Sequence, residues 1–162
     1  MHAVIVVESS FGNSRAVASE VAKGLGDAEV LDVAEAPSVF ADDVALVVLG
    51  GPTHAFGMSR PGTREDAVRQ GGVSQGLGLR EFLQGLEPGQ DLRFAVFDTR
   101  VAKVRHLPGS AARGAAKALR RKGYRLAADP ESFYVLDVQG PLLDGEQERA
   151  QSWGERLAVS VP

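Results

Sequence analysis

The chain has 162 residues, 44% hydrophobic and 24% charged, with a net charge of −3. That is the balance of a folded globular chain, one domain over residues 1–162, and at this size roughly 70% of the unfolded surface can be buried without staples. It contains no cysteine, which excludes disulfides, thiolate metal sites and cysteine nucleophiles. There is no signal-peptide pattern and no apolar run near the ~20 residues that span a bilayer, so a cytoplasmic protein without membrane contact is expected.

Taken in chain order, short apolar runs alternate with helical patterns. Ala3–Val7 is continuous and β-branched, as in a strand buried on both faces. A helix pattern follows from Asn13 to Leu25, with Val17, Val21 and Leu25 on one stripe. Glu29–Val33 reads as a second strand and Val44–Leu49 as a third. A polar loop over Gly50–Gly62 leads into a helical stretch from Thr63 to Leu86, which Gly71, Gly72, Gly76 and Gly78 interrupt. Phe94–Phe97 gives the fourth strand, and an alanine-rich helix covers Ser110–Lys122. Asp129-Pro130 divides Tyr124–Ala128 from Phe133–Leu136, so the fifth strand is one position in the sheet with an irregular interruption. The last helix starts near Leu143, with Asp144 or Gly145 at its cap, and turns Ala150, Trp153 and Leu157 to the core.

Buried strands alternating with helices imply a doubly wound parallel α/β sheet with helices on both faces and right-handed crossovers. In such sheets ligands bind outside the carboxyl ends of the strands where the strand order reverses. With order 2-1-3-4-5, the site is built from the loops after strands one, three and four. The first, Ser9-Ser10-Phe11-Gly12-Asn13-Ser14, gathers hydroxyls, an amide and a glycine at a helix start, where free N–H groups and the dipole favour an anion. It has no lysine, and no G-x-x-x-x-G-K-[ST] occurs anywhere, so a nucleoside triphosphate is not the expected ligand. A simpler role for Asn13 or Ser14 is to cap the helix. The second loop carries Pro52-Thr53-His54-Ala55-Phe56-Gly57, with backbone N–H groups, an imidazole and a phenyl ring suited to a planar heteroaromatic. The third carries Asp98-Thr99-Arg100. Arg100 is either a surface charge or a cation placed to neutralise charge on a bound ring.

Together these loops make the chain resemble the flavodoxin family along essentially its whole length. Ser9–Ser14 is similar to the family's S/T-x-T-G-N-T phosphate loop, with Phe11 where the family has a hydroxyl residue. Gly51–Gly57 is similar to the second flavin loop, in the form seen in flavodoxin-like domains of flavo-diiron proteins. Phe97–Arg100 takes the place of the third loop, and Gly140-Pro141-Leu142 with Gly145-Glu146 is similar to the run before the last helix. The resemblance implies non-covalent FMN, its phosphate on Ser9–Ser14 and its ring between the second and third loops. It also implies electron transfer with unidentified redox partner proteins. The third loop lacks the family's tyrosine, leaving His54 or Phe56 as the ring's neighbours, and Arg100 implies a flavin potential above that of the acidic members.

Other readings fare differently. An NAD(P)H-dependent quinone or flavin reductase on the same fold, and a flavin-free interaction module, remain alternatives. A phosphoacceptor receiver domain is excluded, because Glu8 stands alone after strand one and Gly50 ends strand three. No G-x-S-x-G or H-E-x-x-H motif supports hydrolysis. Half of all basic residues lie between Arg100 and Arg125, a segment with no acid and only Tyr124 as an aromatic. Without interleaved rings it reads as a solvated helix face rather than a nucleic-acid surface. A monomer or weak homodimer, binding neither nucleic acid nor membrane, is the expected state.

Overall fold

The computed structural model describes all 162 residues. Its strands are β1 (His2–Val7), β2 (Glu29–Asp32), β3 (Val44–Pro52), β4 (Arg93–Val101), β5 (Arg125–Leu126) and β6 (Glu131–Val135). Its helices are α1 (Asn13–Gly24), α2 (Pro61–Arg69), α3 (Leu79–Gly85), α4 (Ala111–Arg121) and α5 (Glu146–Ser160). The sheet is parallel with order β2-β1-β3-β4-β5, and β6 continues the β5 position along the far half of β4. The split fifth strand is therefore a real interruption. Arg93 and Phe94 pair with Arg125 and Leu126, and pairing resumes only at Phe97 with Glu131. The residues between include Pro130, which has no N–H to give a ladder.

Alternation along the buried strands feeds two cores. Val4, Val6, Val47, Leu49, Phe94 and Val96 face α3 and α4. Ile5, Val7, Leu46, Val48, Ala95 and Phe97 face α1 and α5, as a period of two requires. In the second core Phe97, Phe133 and Trp153 form an edge-to-face triangle with centroids 5.9–6.2 Å apart. Arg149 lies over the Phe133 ring at 4.3 Å, and pairs with Glu131 and Glu146, pinning β6 to α5. Where α1 crosses α5, Gly24 and Gly154 bring the two backbones together. A Cβ on Gly154 would stand 2.4 Å from the Val21 carbonyl oxygen, and one on Gly24 would stand 2.2 Å from that of Gln151. Only glycine permits this packing distance.

Several boundaries differ from the sequence expectation, and two of them concern the site. Strand β3 runs on through Gly50-Gly51-Pro52, and β4 runs on through Asp98-Thr99-Arg100, because the two extensions pair with each other (Gly51 with Asp98, Pro52 with Thr99). The connection after β3 therefore shrinks to residues 53–60, and Asp98, Thr99 and Arg100 are strand residues rather than loop residues. The last helix starts at Glu146, with Gly145 at its cap. The glycine-interrupted stretch resolves into α2 and α3. No helix is long and apolar enough to cross a membrane.

Candidate functional site

A cleft opens at the carboxyl edge of the sheet between β1, β3 and β4, which is where the chain order reverses. It is lined by Ser9, Ser10, Phe11, Asn13, Ser14, Pro52, Thr53, His54, Thr99 and Arg100, and also by Val101, Val135 and Val138. The turn from β1 into α1 forms one wall. Gly12 occupies the cap position at φ 92°, a left-handed conformation that glycine adopts without steric cost. No side chain caps α1 from that position. Instead Ser9 Oγ accepts from the Gly12 N–H at 3.1 Å, and at 3.4 Å from that of Arg15. Neither Asn13 nor Ser14 caps the helix. The N–H groups of Phe11, Asn13 and Ser14 meet no protein acceptor, so the start of α1 keeps unpaired donors beside the cleft. Arg15 turns away to Asp32 on β2, at 3.1 Å.

Two contacts hold this turn in place. Val73 N–H donates to the Ser10 carbonyl at 2.8 Å, bringing the segment after α2 against the turn. Ser14 Oγ and Thr99 Oγ1 share a buried hydrogen bond of 2.8 Å across the cleft floor. The positions of the remaining expected residues are uneven. Thr53 and Asp98 work inward: Thr53 Oγ1 donates to Asp98 Oδ2 at 3.1 Å, and Asp98 Oδ2 also accepts from Ala112 N–H at 3.0 Å. Asp98 is fully buried and anchors the start of α4 to β4. It does not line the cleft, and neither do Gly12, Ala55, Phe56 or Gly57.

Residues 54–57 form a tight hairpin turn. His54 and Gly57 exchange backbone hydrogen bonds of 2.8 and 3.0 Å, with Ala55 at φ 46° and Phe56 at φ 67° between them. Both central residues thus sit at positive φ, as a type I′ turn requires, in place of the usual Asn-Gly. Phe56 projects from its tip and is 53% exposed. His54 packs inward: its Nδ1 lies 3.1 Å from Thr63 Oγ1, whose own proton goes to the Arg60 carbonyl. Burial, aided by the Arg64 charge, holds the imidazole below its ordinary value of 6.5, so it is neutral at physiological pH.

Arg100 is the only cation on the cleft, and it is buried. Its Nη2 donates to the carbonyls of Val104 and Leu107 at 3.2 and 3.1 Å, which ties down the segment after β4. Its Nε has no partner. Arg100 Nε and Asp98 Oδ1 are the two buried side-chain polar atoms in the protein without one. A buried charged donor without a protein partner, on a residue that lines a cleft full of hydroxyls, fits a ligand rich in acceptors. The cleft volume is about 60 Å³, well under the roughly 300–1,000 Å³ of pockets that engulf a small molecule. That is room for one polar end of a ligand, with any remainder left at the mouth. The sequence reading did not include Val101, Val135 and Val138, which supply the apolar part of that mouth. Val135 ends the strand beside β4, and treating that strand's end as a fourth contributor would have found it.

The fold has relatives among solved structures. The flavodoxin of Streptococcus pneumoniae TIGR4 superposes with a TM-score of 0.70 at 16% identity, covering 99% of this chain and 100% of that one. This chain has the flavodoxin-like fold. An archaeal flavodoxin gives 0.63 at 16% identity, covering 98% and 97%. Rubredoxin oxygen:oxidoreductase from Desulfovibrio gigas gives 0.65 at 14% identity, where 98% of this chain matches 35% of that larger one. No family model and no curated protein matches the chain by sequence.

Proposed function

We propose that the cleft binds FMN and that this flavodoxin-like protein carries electrons through it. One observation carries the reading: the residues whose N–H groups open α1 unpaired, and Arg100, whose Nε has no protein partner, line one small polar cleft at the switch point of the sheet. A phosphate monoester answers the amides, and the negative charge of a reduced flavin ring answers Arg100. The phosphate oxygens accept from the Phe11, Asn13 and Ser14 amides, with the Ser9 and Ser10 hydroxyls as further donors. The absence of a lysine suits a phosphate that anchors rather than one that is transferred.

The bound flavin would supply the one- and two-electron redox chemistry, and the chain's residues hold and tune it. His54, neutral and on the cleft, offers its imidazole to a polar edge of the flavin ring. Val101, Val135 and Val138 shield that side from water. Phe11 and His54 are the rings that line the cleft, so the flavin would rest against them and against the aliphatic surface of the three valines. Arg100 would stabilise added negative charge, which favours the reduced flavin and raises its potential.

The visible absorption spectrum of the freshly purified protein tests the reading. Flavin bands, or their appearance when FMN is added to colourless protein, support it; colourless protein that takes up no FMN refutes it. Mixing the loaded protein with NADPH separates the two redox readings. A flavin that stays oxidised marks a carrier, whereas rapid bleaching marks a reductase.

A further inference from the structure

A second concavity lies apart from the cleft, between α3 and α4. It is an open groove of about 640 Å³, with Phe56 at one end, Met58, Leu83 and Ala118 on its floor, and no acidic residue in its lining. Arg113, Lys117 and Arg121 stand along the α4 wall at successive intervals of four residues. They share one exposed stripe, because the other side of α4 buries Ala111, Ala112, Ala115, Ala116 and Leu119. None of the three enters an ion pair. Arg80 and Lys122 add two more positive charges, and their hydrogen bonds go to backbone carbonyls. Five cations with no counter-charge thus flank an apolar floor, in a chain whose net charge is −3.

The spacing narrows the occupant. Four helical residues rise about 6 Å, so the three charges form a row about 12 Å long. They do not converge on a point, and Ser110, the buried polar residue of the lining, turns its hydroxyl to the Arg113 N–H at 3.2 Å, so the groove is unlike a pocket for a compact phosphate. A single-stranded nucleic acid needs a series of stacking surfaces, and the groove offers one ring at its end. Carboxylates placed four apart on another helix repeat at the same ~6 Å, and the apolar stripe of an amphipathic helix matches the floor.

We propose that the groove between α3 and α4 docks an acidic amphipathic helix of a partner protein, its apolar stripe on Met58, Leu83 and Ala118 and its carboxylates opposite Arg113, Lys117 and Arg121. The inference stands on charge and shape and does not require a flavin in the cleft. The turn carrying Phe56 borders both concavities, so such a helix would end beside the cleft mouth.

The probe is a synthetic helical peptide with glutamates at three positions four apart and leucines on the adjoining stripe. Its binding to the full chain is followed by fluorescence anisotropy and by amide NMR shifts. Saturable binding is expected, with shifts centred on Arg80, Leu83, Arg113 and Lys117, and weakening as salt is raised. The triple variant Arg113→Glu/Lys117→Glu/Arg121→Glu, checked for an unchanged circular dichroism spectrum, should lose at least ~10-fold in affinity for it. A peptide carrying lysines in place of the glutamates should bind that variant and not the parent. The neutral triple variant, with glutamine at the three positions, should fall between. Absence of binding by the acidic peptide, or binding indifferent to the charge reversal, overturns the proposal. So does a single-stranded oligonucleotide that produces the same shifts at lower concentration.

Discussion

Two polar clusters lie side by side at the carboxyl edge of the sheet, parted only by the bond between Glu8 and Ser9, and their hydrogen bonds are arranged in opposite ways. On the Glu8 side, the carboxylate accepts from the Ser59 hydroxyl and, at 2.9 Å, from the Leu79 N–H. Arg64, 3% exposed, donates to Ser59 Oγ at 2.8 Å and pairs with Glu81, which in turn accepts from the Gly78 N–H at 3.1 Å. Every buried side-chain polar atom there finds a protein partner. On the Ser9 side, the opening amides of α1 and Arg100 Nε do not. Residue types alone would point to the first cluster as the chemical one, since it holds two carboxylates and a guanidinium. The hydrogen-bond accounting reverses that. A closed network braces the fold, whereas an open one awaits a ligand.

Breaking the closed network should give the largest effect on stability. Arg64→Ala strands two carboxylates without their cation and should cost about 3–5 kcal/mol, read as a lower urea midpoint at unchanged slope. A loss below about 1 kcal/mol would mean that the network is not closed as described. Arg100→Ala comes next. It removes the two charged hydrogen bonds that hold the segment after β4, and about 1.5–3 kcal/mol should go with them, together with faster amide exchange at Val104 and Leu107. Ser14→Ala is smaller, at about 1 kcal/mol, because it unpairs only the Thr99 hydroxyl. By contrast it should weaken FMN binding by about tenfold, loosening the wall from which the amides project.

The smallest effects are pH slopes, and they sharpen the contrast by sign. Burial raises the Glu8 carboxyl above its ordinary 4.5, outweighing its hydrogen bonds to Ser59 and Leu79 and the Arg64 charge. As pH rises past that value the unfolded chain releases this proton first. Stability contributed by Glu8 is therefore full below 4.5 and declines until the folded carboxyl ionises. His54 behaves in the opposite way. Its folded value lies below 6.5, so its contribution is full above 6.5 and declines as pH falls, while the unfolded chain takes up a proton that the folded one refuses. Stability curves measured from pH 4 to 8 should lose the first slope in Glu8→Gln and the second in His54→Gln. Unchanged slopes would remove both groups from the account.

Much of this was legible in the sequence, for reasons specific to particular segments. Ala3–Val7 and Val44–Leu49 declare themselves as strands buried on both faces, and the switch-point rule then points to the loops beside β1, β3 and β4. The limits of the strands were not legible. Gly50-Gly51-Pro52 has poor strand propensity, and it and Asp98-Thr99-Arg100 are extended because neighbouring strands supply pairing partners, each segment for the other and β6 for the second. The turn at Ala55-Phe56 gives no signal, since its residues are the wrong ones for positive φ. Glu8 was read as a lone acid because Ser59 is 51 residues away in the chain. The basic run on α4 was read as solvated helix face, and its groove exists only once α3 supplies the facing wall.

The central claim is that the open donors at the start of α1 hold a phosphate monoester. Calorimetric titration of ligand-free protein with FMN and with riboflavin, which share the ring and differ in the phosphate, tests it most directly. FMN should bind at least ~100-fold more tightly, a difference of about 2.7 kcal/mol. Equal affinity for the two, or no heat from either, would contradict it.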